Sequence, residues 1–344
     1  MAKRSTLRDV AALAAVSRSA VARVLLGTGG DHVRIAPATR DRIEKAALRL
    51  NYSPNRSAQQ LRGVSSRMLG LIIETENLPV MSARLFSLEH EAARQGYRLL
   101  IGRTHGETAQ LNDYLADFTG RGAEAIFCLF DLKPGRDERV KKIFAGFKSV
   151  VFHGRPAWER GYCVKTDTAA AIRASVDHLV ARGKRRIGLA LWNVPRDELM
   201  RTRKESFIAA VAAHKIRSPE KLVWDAASVS VEPSAEILDH GMETMVKRHG
   251  ADAIIASNDI WAARFIIRLK EMGMRIPEDI AVVGYDNLDI GAVLTPSLTT
   301  IDQCHEAYAA AAIGLLVRLA RGGRIALRER TVAIPPRLVV RNSS

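Results

Sequence analysis

The sequence predicts an α/β protein in two parts: a small all-α region at the N-terminus, then a larger core of two α/β subdomains with parallel sheets. Three observations predict this fold class. The first 66 of the 344 residues hold twelve Lys and Arg but four Asp and Glu, and so carry +8 of the total net charge of +15. Residues 6–52 contain three short helical patterns. From residue 68, short apolar runs alternate with helical stretches, which is typical of parallel sheets covered by helices.

The composition is that of a globular protein and excludes several other classes. Hydrophobic residues make up 47% of the chain and charged residues 26%, which argues against collagen-like, disordered and coiled-coil proteins. The longest uncharged apolar stretch, 307–317, is too short to cross a membrane. The basic start resembles a secretory signal, but its apolar stretch 10–16 is short and Arg18 and Arg23 follow it. Three widely spaced cysteines without metal-ligand spacing fit a reducing, cytoplasmic compartment.

The first helix is predicted from a capping pattern at residue 6. Thr6 and Asp9 have the spacing of a capping box, in which each side chain bonds the backbone N–H of the other. After them, Val10, Leu13 and Ala14 are expected to lie on one face of the helix. The first helix is therefore predicted to begin after Thr6 and to bury that face.

Two more helices complete a helix-turn-helix pattern. A break near residues 15–16 precedes Ser17, a candidate N-cap for the second helix, and Pro37 and Thr39 open the third. The apolar positions expected to face inward on these two helices are Ala20, Val21, Val24, Ile43, Ala46, Ala47 and Leu50. Three short helices with a tight turn between the first two predict a helix-turn-helix domain over residues 1–53.

The outward face of the second helix is basic. Arg18, Ser19, Ala22 and Arg23 are left pointing away from the predicted core. In a helix-turn-helix domain this face enters the DNA major groove, where arginine can donate two hydrogen bonds to one guanine. A small helical bundle with a solvated basic face is the alternative, because helix-turn-helix spacing alone is degenerate.

Residues 54–66 predict a linker that becomes ordered only against a partner. The short helix that could start at Asn55 has Leu61 as its one large apolar side chain, and a helix of eight or nine residues is not stable alone in water. A solvated linker is one interpretation. A hinge helix that folds on DNA, with Leu61 inserted between base steps, is the other. The core is then expected over residues 67–344.

In the core, the carboxyl ends of the predicted strands carry the candidate ligand-binding residues. Ligands in parallel α/β sheets bind where these ends meet, so two such halves predict a cleft between them. Asn258 and Asp259 follow the apolar run 253–256, and Asp286 follows 281–285. Carboxylate, amide and arginine side chains suit a hydroxyl-rich ligand. Asp259 as a helix N-terminal carboxylate and Asn258 as a loop residue are the alternatives.

Ten segments, in order along nearly the whole chain, closely resemble the LacI/GalR family of bacterial transcription regulators. They are residues 6–11, 16–17, 21 with 23–25, 39–40, 50–55 with Leu61, 68–73, 183–187, 257–259, 276–287 and 296–301. The resemblance implies a core like that of periplasmic binding proteins, and a homodimer that binds a palindromic operator. It further implies that a small-molecule effector, sugar-like or otherwise polar, controls DNA binding.

The resemblance also implies roles for individual residues. Those implied to contact DNA are Arg18, Ser19, Arg23, Asn55, Ala58, Leu61 and Arg62. Those implied or suggested to contact the effector are Arg203, Asn258, Asp286, Trp261 and His153. Trp261 could stack on a sugar ring, although a tryptophan that packs within the core is the alternative. Ala15 replaces the usual turn glycine, and we expect the turn not to need a positive φ.

These features predict a cytoplasmic, nucleoid-associated transcription regulator, most simply a repressor. The sequence contains no G-x-G-x-x-G, Walker A, G-x-S-x-G or H-E-x-x-H motif, so no enzyme activity, cofactor or metal is expected. The alternative is a secreted solute-binding protein with the same core fold. Such a protein needs a signal peptide where this chain has a basic helix-turn-helix pattern.

Overall fold

The computed structural model describes residues 5–26, 35–53, 64–74, 79–130, 137–147, 149–192, 197–216, 219–226 and 233–344. The chain divides into two compact units, Met1–Ser66 and Arg67–Ser344, and each is described by itself below. The positions proposed for the hinge helix, Asn55, Ala58, Leu61 and Arg62, lie outside the described residues.

The first unit consists of three helices around a small apolar core. They are α1 (Leu7–Ala14), α2 (Arg18–Leu26) and α3 (Pro37–Arg49). The buried side chains are Val10, Ala11, Ala14, Val21, Ile43, Ala46 and Ala47. The predicted capping box is present, since Asp9 accepts from the Thr6 backbone N–H at 2.7 Å and Thr6 accepts from Asp9 N at 3.4 Å.

One predicted core position on α1 is wrong. Leu13 is 48% exposed, and Ala11 is buried in its place. Residues 7, 10, 11 and 14 follow the i, i+3, i+4, i+7 spacing of a single helix face, whereas residue 13 lies off that stripe. The apolar side chain of Leu13 therefore faces solvent.

The turn between α1 and α2 also differs from expectation. Ala15 has φ 52° and ψ 50°, the left-handed conformation that usually calls for glycine. Its backbone N–H closes the end of α1 on the carbonyls of Ala11 and Ala12. The turn needs a positive φ after all, because this residue must reverse the chain immediately after the last helical hydrogen bonds.

The second unit contains two α/β subdomains, each with helices on both faces of a six-stranded sheet. The strands of the first are β1 (Met68–Ile73), β2 (Arg98–Arg103), β3 (Ile126–Leu129), β4 (Val150–His153), β5 (Tyr162–Thr166) and β11 (Thr331–Ile334). They lie in the order β11-β5-β4-β3-β1-β2, and all pairs are parallel. Its helices are α4 (Pro79–Arg94), α5 (Thr108–Gly120), α6 (Asp137–Ile143) and α12 (His305–Ala320).

The second subdomain repeats this layout. Its strands are β6 (Ile187–Leu191), β7 (Val223–Asp225), β8 (Ala253–Ala256), β9 (Ala281–Tyr285), β10 (Thr299–Asp302) and β12 (Arg337–Val339). They lie in the order β12-β10-β9-β8-β6-β7, with β12 antiparallel to β10. Its helices are α7 (Thr168–Ala181), α8 (Glu198–Ala213), α9 (Ala235–Gly241), α10 (Asp259–Glu271) and α11 (Asp289–Val293), and a π-helical turn (Met242–Arg248) continues α9.

The chain passes between the subdomains three times, at adjacent points. It leaves β5 through Asp167 into α7, leaves β10 through Gln303 into α12, and joins β11 to β12. The first and third crossings are hydrogen-bonded from Asp167 N to Ile334 O at 2.9 Å. The first and second are linked from Thr166 Oγ1 to Gln303 Oε1 at 3.0 Å.

The prediction of two similar halves built from alternating strands and helices is confirmed. No helix among the described residues is long and apolar enough to cross a membrane.

Candidate functional site

The exposed face of α2 is the candidate DNA-binding surface of the first unit. Arg18 and Ser19 are exposed, as predicted, and Ser17 accepts a hydrogen bond from Ala20 N at 3.2 Å. The hydroxyls of Ser17 and Ser19 lie 2.9 Å apart. Arg23 is half-buried, and its buried Nε atom has no hydrogen-bond partner among the described residues. Two of the three predicted base-reading residues are therefore fully available at the surface, while Arg23 is partly covered.

In the second unit, polar side chains from both subdomains meet beside the chain crossings. We call this group the crossover cluster; its members are Arg84, His153, Arg203, Asp286, Gln303 and Tyr308, all buried. Arg84 comes from α4 and Tyr308 from α12, and His153 ends β4. Arg203 comes from α8, whereas Asp286 and Gln303 follow the ends of β9 and β10. The strand ends thus converge as the sequence predicted.

A chain of hydrogen bonds runs through the crossover cluster from one subdomain to the other. Arg84 Nη2 donates to Gln303 Oε1 at 2.7 Å, and Gln303 Nε2 donates to Asp286 Oδ1 at 2.6 Å. Gln303 itself lies on the second crossing. The amide therefore connects a cation of the first subdomain to a carboxylate of the second.

Arg203 and Asp286, both predicted from the sequence, lie in this cluster. Arg203 Nη1 donates to the carbonyl oxygen of Ser257, and the guanidinium stacks 3.8 Å above the ring centroid of Tyr285. Burial raises the pKa of Asp286 to about 6, while the positive charge of Arg203 acts in the opposite direction. Burial thus outweighs the nearby arginine in setting the pKa of this carboxyl.

His153 is also in the cluster, on the side of the first subdomain. Its Nδ1 lies 2.6 Å from the hydroxyl of Tyr308, and its Nε2 lies 3.5 Å from Arg84 Nη1. Burial first, and the charge of Arg84 second, lower the pKa of His153 to about 3. The imidazole is therefore neutral at physiological pH.

Asn258 and Asp259 make local structural contacts. Asn258 caps α10, with its Oδ1 accepting from Trp261 N at 2.9 Å. Asp259 accepts from Leu288 N at 2.6 Å and from the hydroxyl of Thr300. Burial raises the pKa of Asp259 to about 7. These contacts fit the alternatives of a capping asparagine and a helix N-terminal carboxylate, and a ligand contact for Asn258 stays a prediction.

Trp261 lies inside the core of the second subdomain. It is completely buried, with ring centroids 5.8 Å from Trp224, 6.0 Å from Trp192 and 6.3 Å from Phe265. This position favours the alternative of a packing tryptophan over one that stacks on a sugar.

Sequence reasoning missed Arg84, Gln303 and Tyr308, although one signal for Arg84 was present. Val80, Arg84 and Leu88 are spaced four apart along α4, and all three are buried. An arginine within an apolar stripe at helical spacing indicates a cation held inside the protein.

Comparisons with known proteins match both units. Residues 6–55 match bacterial regulatory proteins of the lacI family, and residues 176–344 match a periplasmic binding protein-like domain. The HTH-type transcriptional repressor PurR of Mannheimia succiniciproducens is 26% identical over 351 residues, and 98% of each chain is covered. The ribose operon repressor of Lactococcus lactis is 24% identical, again with 98% of each chain covered.

Solved structures agree with these matches. The Lac repressor dimer bound to operator and the anti-inducer ONPF aligns with a TM-score of 0.82 at 23% identity, covering 99% of each chain. The transcriptional regulator CelR in complex with cellobiose aligns with a TM-score of 0.69 at 25% identity, covering 99% of this chain and 100% of that one. Residues 6–55 thus match the lacI family of bacterial regulatory proteins, and the whole chain is similar to regulators of this kind in the order and length of its parts.

Proposed function

We propose that this protein is a transcriptional repressor that binds operator DNA through α2 and responds to a small polar effector bound at the crossover cluster. The observation that carries the proposal is the combination of two features in one chain. One is a helix-turn-helix unit whose second helix exposes Arg18 and Ser19. The other is a buried polar cluster that connects two α/β subdomains beside their chain crossings.

Operator recognition divides between two kinds of contact. Arg18, Ser19 and Arg23 are proposed to read base edges in the major groove. Asn55, Ala58, Leu61 and Arg62 are proposed to act in the minor groove, with Leu61 as the apolar wedge. The net charge of +8 over the first 66 residues supports binding to a polyanion. We propose a homodimer, because a palindromic site presents two equivalent half-sites.

The effector is proposed to act by shifting the populations of different relative arrangements of the two subdomains. A ligand that contacts groups from both subdomains binds one relative arrangement of them more tightly than another, and so favours it. Residues 54–66 would carry this change to the DNA-binding unit. A coupling free energy of about 1–3 kcal/mol is typical of such linkage, and corresponds to a change in DNA affinity of roughly 5- to 150-fold.

Two other functions are less well supported. A solute-binding protein without a regulatory role would not need a basic helix-turn-helix unit, and the relatives named above are repressors. An enzyme would need an acid–base pair or nucleophile open to substrate. The crossover cluster instead holds its carboxylate against Gln303 and its histidine against Tyr308. We place the protein in the cytoplasm, at the nucleoid.

Selection from a random DNA duplex pool tests the proposal. The full chain is incubated with the pool at near-physiological salt, which weakens contacts that depend only on charge. We expect recovery of a palindrome with two equivalent half-sites. If the selection yields no consensus, it is repeated with pooled metabolites, because a co-repressor could be required. Failure to find a consensus under both conditions would refute sequence-specific regulation.

A further inference from the structure

The crossover cluster contains more permanent positive charge than negative charge. Arg84 and Arg203 are 2% and 4% exposed, so both guanidinium groups are removed from water. Among the described residues, the carboxylate that belongs to the cluster is Asp286, and it lies within hydrogen-bond distance of Gln303 rather than of either arginine. Buried cations are ordinarily paired with a carboxylate or another anion.

Both arginines also keep unused hydrogen-bond donors. The Nε atoms of Arg84 and Arg203 are buried and have no hydrogen-bond partner in the described part of the chain. Arg84 uses its Nη atoms on Gln303 and His153, whereas Arg203 uses Nη1 on the Ser257 carbonyl. A buried N–H of a charged group left without an acceptor is destabilising, and a ligand that supplies the acceptor removes that penalty.

His305, which follows the second chain crossing, also lacks hydrogen-bond partners among the described residues. His305 begins α12, two residues after Gln303, and both of its ring nitrogens are buried without a partner among the described residues. Burial, and then the charge of Arg84, lower the pKa of His305 to about 4. His305 stands two residues after Gln303, the hydrogen-bond partner of Arg84, and a neutral imidazole offers one further N–H donor.

We propose that the effector carries an anionic group, a carboxylate or a phosphate, and that Arg84 binds this group with Arg203 or His305 as the second donor. The inference rests on the proposed function, since it specifies the chemical class of ligand that the crossover cluster takes. An anion supplies the acceptors that the unused N–H groups lack and compensates the excess positive charge. A neutral sugar supplies hydroxyl acceptors but leaves the excess charge in place.

Asp286 does not remove the need for this anion. It accepts a hydrogen bond from Gln303, and burial holds its pKa well above the ordinary value for an aspartic acid. A carboxyl in this state compensates two arginines only in part. The two histidines add no negative charge in either protonation state.

Thermal unfolding of the full chain with matched probes tests the proposal. The probes are inorganic phosphate, D-gluconate and its neutral counterpart D-glucitol, each at millimolar concentration and at constant ionic strength set with sodium chloride. Anions that bind the folded protein raise its Tm. Three proteins are compared: wild type, Arg84→Gln, and the control Arg94→Gln. Arg94 lies on the same helix, but its side chain is 66% exposed and paired with Glu91.

We expect phosphate or D-gluconate to raise the Tm of the wild type and of Arg94→Gln more than D-glucitol does. In Arg84→Gln the affinity for the active anion should fall at least about tenfold. A response to phosphate favours a phosphorylated effector, and a response to D-gluconate alone favours a carboxylate. If Arg84→Gln does not fold, Arg84→Lys replaces it. Its affinity for the active anion is expected to be lower than that of the wild type but still measurable.

Three results would overturn the proposal. The first is that no anion raises the Tm above its value in chloride. The second is an equal response in all three proteins, or an undiminished one in Arg84→Lys, which would place the anion elsewhere, for example on the basic first unit. The third is an equal response to D-gluconate and D-glucitol without a response to phosphate. A DNA selection without consensus would refute the regulatory function while leaving these ligand results valid, so the two failures are distinguishable.

Discussion

Asp286 is a buried carboxyl that titrates within the range of ordinary buffers. Its pKa is about 6 in the folded protein, raised by burial above the ordinary value of 3.8. A carboxyl whose pKa is higher in the folded chain than in the unfolded chain stabilises the fold while it is protonated. That contribution is lost as the pH rises through the folded-state pKa.

This shift gives a prediction for Asp286→Asn, which keeps a neutral side chain at every pH. The free energy of unfolding of the variant, relative to the wild type, should rise by about 1.4 kcal/mol per pH unit between about pH 4 and about pH 6, and then level off. Urea unfolding across this range measures it. Parallel curves for the two proteins would contradict a raised pKa at Asp286.

The comparison with the variant is needed because other buried groups change the free energy of unfolding with pH in the opposite direction. The pKa values of His153 and His305 are lowered to about 3 and about 4, mainly by burial. A histidine that is neutral in the folded chain but charged in the unfolded chain adds stability as the pH rises toward 6.5. The wild-type profile alone therefore hides the contribution of Asp286.

Arg18 gives a second prediction at the scale of one residue. Arg18→Ala should weaken operator binding by about 1–3 kcal/mol and relax the base preference at one position in each half-site. Binding to variant operators, measured with both proteins at one salt concentration, checks this. Equal weakening on every sequence would instead make Arg18 a phosphate contact.

Single residues also mark the limit of what the sequence predicted. Arg203 and Asp286 could be found because each stands next to a recognisable strand end or motif. The partnership of Arg84 with Gln303 could not, because it joins positions 219 residues apart and depends on how α4 meets the second crossing. A contact between residues so far apart in the sequence forms only when the chain folds, so no local pattern indicates it.

Among the elements, the turn between α1 and α2 is held in a conformation that its residue disfavours. Ala15 has φ 52°, and a Cβ atom in the left-handed region meets the following carbonyl oxygen. Ala15→Gly is expected to stabilise the first unit by about 1 kcal/mol. Thermal unfolding of that unit, monitored by circular dichroism, measures the change. A lower melting temperature would mean that the added freedom of glycine in the unfolded chain outweighs the strain.

Strand β9 and helix α10 meet at a glycine that leaves no room for a side chain. A Cβ atom at Gly284 would collide with Asp259 Oδ1 and lie 2.8 Å from Leu298 Cδ2. Gly284→Ala should destabilise the second unit by about 1–3 kcal/mol, because Asp259 must leave Thr300. Gly314→Ala on α12 is the control, since no heavy atom lies within 4 Å of the added carbon. Similar unfolding curves for the two variants would refute the collision.

The sequence predicted the buried central strands well but missed four others. The apolar runs at 69–73, 125–130, 150–152, 186–191, 253–256 and 281–285 correspond to β1, β3, β4, β6, β8 and β9, which are largely buried. It missed β5, β10, β11 and β12, which carry Thr, Lys, Asp or Arg and are short. Their pairing comes from the crossings, since β11 and β12 reach the sheets only when the chain returns after α12. Local pattern does not contain that information.

At the scale of the whole molecule, the residues proposed to bind DNA and those proposed to bind the ligand lie in different compact units. The compact units divide at Ser66 and Arg67. A chain that begins at Arg67 is expected to fold, to keep the ligand response of the full chain, and to lose operator binding. Thermal unfolding with ligand and a DNA-binding assay on the same preparation test this. Loss of the ligand response would show that the first unit contributes to the ligand site.

The three crossings have a mechanical consequence. They lie side by side and are joined by the hydrogen bonds from Asp167 to Ile334 and from Thr166 to Gln303. We therefore expect the three crossings to act together as one hinge between the two subdomains. Such a hinge favours rotation of one subdomain against the other about a single axis over sliding or twisting movements. Ligands of different shape can then produce the same kind of movement and differ in the angle through which the subdomains rotate. We therefore expect substitutions that change the preferred ligand to leave the direction of the movement between the subdomains unchanged.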